Sequence, residues 1–113
     1  MISNTFRFHG HGSLKYLFRH GKGTRTKYAT VKYVQNPKRK NYRLAVIVSK
    51  KVAKSAVTRN RIRRRIYELI RKNIDGMPNL DIAIIVHDER VSTVDHTELE
   101  RSLLPAIEDL KST

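Results

Sequence analysis

The chain has 113 residues, 24 Lys and Arg against 10 Asp and Glu, a formal net charge of +14 and no cysteine. That length suits one compact domain, and 39% hydrophobic residues can build a modest core, which argues against wholesale disorder. A disulfide scaffold, a cysteine-based zinc finger and a thiol nucleophile are excluded, and no apolar run approaches the roughly 18 residues of a membrane span.

Residues 1–12 contain two Gly, no apolar signal core and little periodicity, so they read as an irregular lead-in with no secretory address. Ser13 is a candidate N-cap for a short helix over 14–20. Leu14, Leu17 and Phe18 share one face there, and Gly21 is a natural stop. Residues 22–27 read as a basic loop. A strand over about 28–34 follows, with Ala29, Val31 and Tyr33 on one face and Tyr28, Thr30, Lys32 and Val34 on the other. The segment from Asn36 to Asn41 is a turn. The next strand, Leu44 to Ser49, is an unbroken apolar run, which suggests a central strand covered on both faces.

A basic connection over 50–58 leads into a helix from about Thr58 to Asn73. Ile62, Ile66, Leu69 and Ile70 form its apolar stripe, with Asn60, Arg64, Tyr67 and Arg71 roughly opposite. The Asp75–Asn79 turn precedes a second strongly apolar strand over 81–87, and residues 88–93 form a loop. The last helix spans about 94–110. Leu99, Leu103, Ala106, Ile107 and Leu110 make its buried stripe, and Pro105 should kink or split it near Leu104. The expected class is α+β, with a mixed sheet of four or fewer strands and helices mainly on one face in a two-layer sandwich. Strand 44–49, helix 58–73 and strand 81–87 have the spacing of a parallel βαβ unit, for which the general rule is a right-handed crossover.

Charge is segregated along this order. Residues 1–49 carry eleven Lys and Arg and no acid, residues 50–72 carry ten and only Glu68, and residues 73–113 carry three against nine acids. The later acids read as the solvated face of a helix and its loops. Lys50 and Lys51 end the apolar strand, Lys54 sits in the connection, and Arg59, Arg61, Arg63, Arg64 and Arg65 project from the helix start around Asn60. A purely structural helix would place Asp or Glu in its first turn. Docked on its apolar stripe, this one instead holds planar Arg forks suited to phosphate oxygens. A polyanion is the implied partner. A helix-turn-helix DNA reader would need a helix just before this one, where a strand stands. No nucleophile elbow, metal-ligand spacing or carboxylate cluster is present, so no catalytic or metal site is expected in the protein.

Lys50-Lys51 followed by Ala56-Val57-Thr58-Arg59-Asn60-Arg61-Ile62-Arg63-Arg64 resembles the signature of the bacterial ribonuclease P protein component. Arg7-Phe8, Leu14 to Gly21 and the run Asp81 to Val86 extend the resemblance over about residues 7–110. The resemblance implies a cytoplasmic RNA-binding subunit of a ribonucleoprotein endonuclease that removes the 5′ leader from precursor tRNA. The RNA subunit would cut with Mg²⁺, and no further protein partner would be required. It also implies a left-handed crossover, and RNA-subunit contacts by Lys50, Lys51, Lys54, Arg59, Asn60, Arg61, Arg63, Arg64 and Arg65. A leader cleft would be lined by Leu14, Phe18, Lys32, Tyr33 and Ser49, with Leu14 and Lys32 standing where many members carry aromatics. The alternative is a non-catalytic ribosomal or other structural RNA-binding protein.

Overall fold

A computed structural model describes residues 11–36 and 41–113. Its elements in chain order are α1 (His11–His20), β1 (Lys22–Arg25), β2 (Ala29–Gln35), β3 (Arg43–Val48), α2 (Ala56–Lys72), β4 (Leu80–Val86), a 3-10 turn (Glu89–Ser92) and α3 (His96–Leu110). The four strands form one sheet in the order β1-β2-β4-β3. β1 with β2 and β2 with β4 are antiparallel, and β3 with β4 is parallel. The class is the α+β one read from the pattern, with a mixed sheet.

Alternation along the strands decides which helix covers which face. Leu44, Val46 and Val48 of β3, Leu80, Ile82, Ile84 and Val86 of β4, and Ala29 and Val31 of β2 join the α2 and α3 stripes in the larger core. Ala45 of β3 and Ala83 of β4 form a smaller cluster with Leu17 of α1, against which Leu14, Val34 and Ile47 pack. Thus α2 and α3 share one face, and α1 alone lies on the other.

β4, not β3, is the central apolar strand, which corrects the sequence expectation. β3 pairs with β4 only, yet α2 covers one of its faces and α1 the other. Its unbroken apolar run therefore reports two-sided cover rather than two-sided pairing. Tyr67, expected on the outer side of α2, is 4% exposed, and its hydroxyl accepts a long hydrogen bond of 3.4 Å from the Val46 N–H of this edge strand. The buried stripe of α2 is wide enough to take in the residue beside Ile66.

Several boundaries move. The lead-in expected over 1–12 gives way to helix at His11 and Gly12, so Ser13 lies inside α1 rather than capping it. The sequence signal begins only at Leu14, where a face meets the sheet. Residues 1–10, including Arg7 and Phe8, lie outside the described residues, as do Pro37 to Lys40 of the expected turn. The expected basic loop contains β1, exposed along its whole length, so no hydrophobic alternation betrays it. Thr26 closes its hairpin, with Oγ1 donating to the Ala29 carbonyl at 2.7 Å. Gly21 ends α1 at a close approach, because a Cβ there would collide with the carbonyl oxygens of Leu17 and Tyr33.

α2 starts earlier than expected because Ser55 caps it, accepting from the Thr58 N–H at 3.4 Å. The expected loop over 88–93 holds the 3-10 turn, whose Val91 is fully buried. α3 is capped by Asp95 and runs unbroken through Pro105. Pro105 is exposed and removes one backbone donor, while Leu103, Ala106, Ile107 and Leu110 stay anchored in the core. Asp81 departs from the solvated acids. It is 6% exposed and accepts a two-pronged Arg43 fork at 2.8 and 2.6 Å and the Asn36 amide at 2.9 Å. No helix among the described residues is long and apolar enough to cross a membrane.

Candidate nucleic-acid interface

The crossover from β3 to α2 is a tight, built loop. The Ser49 carbonyl accepts from the N–H groups of Val52 at 3.1 Å and Ala53 at 3.2 Å, and Ala53 is buried. Lys50, Lys51 and Lys54 are left exposed around it. Arg59, half-buried in the first turn of α2, donates from Nη1 to the carbonyl oxygens of Ala53 at 2.9 Å and Lys54 at 2.8 Å. The guanidinium therefore ties the loop to the helix. One turn on, Arg63 Nη1 donates to Asn60 Oδ1 at 2.8 Å, which sets the direction of both side chains. Arg61 and Arg64 are exposed.

Arg65 leaves this exposed row. Its Nη1 donates to the Val91 carbonyl at 2.7 Å, so it fastens the 3-10 turn to α2. That corrects its grouping with the outward arginines. The sequence places Arg65 beside the apolar stripe, and a buried backbone carbonyl within reach draws the fork inward.

Among the described residues, none of Lys50, Lys51, Lys54, Arg59, Arg61, Arg63, Arg64 or Arg65 is ion-paired. The acids serve other cations instead: Glu98 pairs with Lys27, Asp81 with Arg43, Glu68 with Arg71, Asp88 with Arg90 and Glu108 with Lys111. Arg90 hydrogen bonds hold the Asp88 carboxyl below its ordinary range, and the Glu98 carboxylate raises Lys27. The row at the start of α2 is thus a positive surface without an ion pair among the described residues, in which Arg59 and Arg63 are held by hydrogen bonds.

The register places a second feature beside it. On the α1 face, Lys32, Ala83 and Ala45 lie in one row across β2, β4 and β3, and the two alanines let α1 sit close. The next row, Thr30, Ile85 and Ile47, continues onto Arg25 of β1. Its three central residues are half-buried, and it forms a floor leading toward Ser49 and the crossover lysines at the end of β3. Phe18, 43% exposed, and the half-buried Leu14 stand at its α1 side. Lys32 Nζ donates to the Phe18 carbonyl at 3.0 Å and lies 5.7 Å from the centre of its ring. Gly23, directly opposite Lys32, makes room for this lysine: a Cβ there would stand 3.2 Å from Lys32 Cγ.

Leu14, Phe18, Lys32 and Ser49 are therefore on the α1 side. Tyr33 is not, because it packs against the larger core on the other face. Adjacent strand residues point to opposite faces, so Lys32 and Tyr33 cannot line one cleft, and Tyr33 is removed from it. Tyr28 is likewise buried in the larger core, with Lys27 at 5.4 Å and Arg90 at 5.6 Å from its ring centre. Sequence reasoning missed Arg25, Thr30, Ile47 and Ile85. The isoleucines look like core in the sequence, yet both stay half-buried on the α1 face of the sheet. Among the described residues, no group of three or more His, Asp or Glu could hold a metal ion.

The family model described as Ribonuclease P matches residues 2–111 of this chain. The Ribonuclease P protein component of Clostridioides difficile (strain 630) is 41% identical over 91 residues, 77% of this chain and 75% of that protein. That of Streptococcus pneumoniae (strain Hungary19A-6) is 32% identical over 104 residues, covering 91% and 82%. Among solved structures, the RNase P protein from Thermotoga maritima superposes with a TM-score of 0.79 at 25% identity, over 95% of this chain and 96% of that one. The Staphylococcus aureus RNase P protein shares the fold with a TM-score of 0.81 at 22% identity, over 92% and 94%.

Proposed function

Since the chain belongs to the bacterial ribonuclease P protein family, we propose that it works as the protein subunit of a ribonucleoprotein that removes the 5′ leader from precursor tRNA. The RNA subunit makes the cut with Mg²⁺, in the cytoplasm, and no residue of this chain takes part in the chemistry. The protein acts as one RNA-binding domain and needs no other protein.

The observation that carries this reading is the row of unpaired cations fastened at the start of α2. Lys50, Lys51, Lys54, Arg61 and Arg64 meet the RNA subunit, and Arg59, Asn60 and Arg63 set their frame. Neutralising phosphates there releases condensed counterions, so assembly weakens steeply with salt. The floor of Thr30, Ile85 and Ile47 takes the single-stranded leader, with a base against Phe18 and backbone phosphates toward Lys32, Arg25 and the crossover lysines. Base–aromatic stacking typically contributes about 1–3 kcal/mol per base and tolerates sequence variation, which suits leaders of differing sequence.

Reconstitution tests the reading. The protein added to its organism's RNA subunit at low Mg²⁺ should increase cleavage at the mature 5′ end. No increase over RNA alone, or hydrolysis of precursor tRNA by the protein alone, overturns it.

A further inference from the structure

α1 carries aromatic rings on two flanks. Phe18 stands beside the cleft. Tyr16 precedes it by two residues, which at about 100° per residue puts it on nearly the opposite side of the helix, with buried Leu17 between them against the sheet. Tyr16 is 55% exposed, so two of the three exposed large apolar side chains among the described residues belong to this one short helix. One turn after Tyr16, the exposed His20 packs against it, with ring centroids 4.6 Å apart at an interplanar angle of 41°. Lys15 and Arg19, both exposed, occupy the ridge facing away from the sheet. No acid precedes Glu68 in the sequence, and among the described residues none of Lys15, Arg19 or His20 is ion-paired.

We propose that this outer flank, with Tyr16 and His20 framed by Lys15 and Arg19, is a second stacking platform that takes an unpaired RNA base and its adjoining phosphates. The inference rests on the reading that RNA is the partner. A protein-docking patch would need a broad apolar area, whereas here one tyrosine and one imidazole are set among cations. That is the composition of a surface for single-stranded nucleic acid, where each base offers a π-face and each linkage a negative charge. The platform lies on the flank of α1 opposite the leader cleft, so a strand can use both flanks of the helix or two strands can use one each.

The chain contains no tryptophan, so Tyr16→Trp introduces a fluorophore that reports this position alone. Its emission should be quenched when a single-stranded oligoadenylate is added, and again in the reconstituted complex of protein, RNA subunit and precursor tRNA. Tyr16→Ala should weaken oligoadenylate binding by about fivefold or more, the lower end of the stacking range. Tyr16→Phe should retain it. Because Tyr16 is exposed, an unchanged denaturation midpoint will separate lost stacking from misfolding. Emission from Tyr16→Trp that stays constant at saturation, or affinity of Tyr16→Ala within twofold of the parent, overturns the platform while leaving the proposed function standing. A parent protein that binds no RNA removes both.

Discussion

Arg59 donates from Nη1 to the Lys54 carbonyl oxygen at 2.8 Å, so the first arginine of the basic triplet faces back into its own loop. The same nitrogen reaches the Ala53 carbonyl at 2.9 Å. Two cations separated only by Asn60 therefore do different work. Arg61→Ala should leave stability within about 0.5 kcal/mol and flatten the salt dependence of RNA binding by about one unit of slope, as removal of one phosphate contact does. Arg59→Ala should cost about 1–2 kcal/mol of stability through the two lost charge-assisted bonds and weaken RNA binding with a smaller change of slope. Urea titrations and affinities over a salt series check both. Equal slopes and equal stabilities for the two variants would contradict the division of roles.

Phe18→Ala should separate the two parts of a substrate. The side chain is 43% exposed, so its loss should disturb the core little. If a leader base stacks on it, precursor tRNA should bind more weakly by about 1–3 kcal/mol, while mature tRNA, which has no leader, should be unaffected. Parallel binding measurements on the holoenzyme with the two RNAs give the comparison, and equal losses would place Phe18 outside the cleft.

How far the sequence could be read depended on which signals survive without long-range pairing. Ile62, Ile66, Leu69 and Ile70 announce α2 by their period, and all four are buried. The five-residue stripe of α3 is equally plain and equally buried. β1 left no trace, because a strand exposed on both faces is held by backbone bonds and carries no apolar code. Strand order was also out of reach, since β3 and β4 are both apolar on two faces and only the pairing distinguishes edge from centre. The candidate site divided in the same way. The cations at the head of α2 stand out as charge, but that Arg59 and Arg65 spend hydrogen bonds on carbonyls requires the loop and the 3-10 turn to be in place. Alternation already set Lys32 and Tyr33 on opposite faces, but which of them lies on the cleft side could be told only once α1 was assigned to one face.

Arg43 and Asp81 offer a test of a buried pair at the sheet edge. Their side chains are 13% and 8% exposed and meet at 2.6 Å. Asp81→Ala removes the carboxylate that accepts both prongs of the Arg43 fork, a loss of about 3 kcal/mol or more. Replacing both, as Arg43→Met with Asp81→Leu, removes the two charges together and should recover much of that loss. A double-mutant cycle of denaturant midpoints measures the coupling, and additive losses would show that the pair does not act as a unit.

Asp88 supplies a pH-dependent prediction at the opposite end of β4. The Arg90 side chain donates to both carboxylate oxygens at 2.7 to 3.1 Å, and the Arg90 N–H donates to Oδ1 at 2.9 Å. The side-chain bonds lead and the backbone bond follows in lowering the Asp88 pKa from the ordinary 3.8. A carboxyl whose folded value lies below its unfolded one contributes its full stabilisation above the unfolded pKa, and loses it as pH falls through the folded value. Acidification below about pH 4 should therefore loosen the Glu89–Ser92 turn, while neutral and mildly alkaline pH leave it intact. Carboxyl-carbon NMR titration should give an Asp88 midpoint below 3.8, and Arg90→Ala should return it upward. The same variant should speed amide exchange at Val91, whose N–H donates to the Asp88 carbonyl at 3.3 Å. An unchanged midpoint in Arg90→Ala would mean that the fork does not hold the charge in solution.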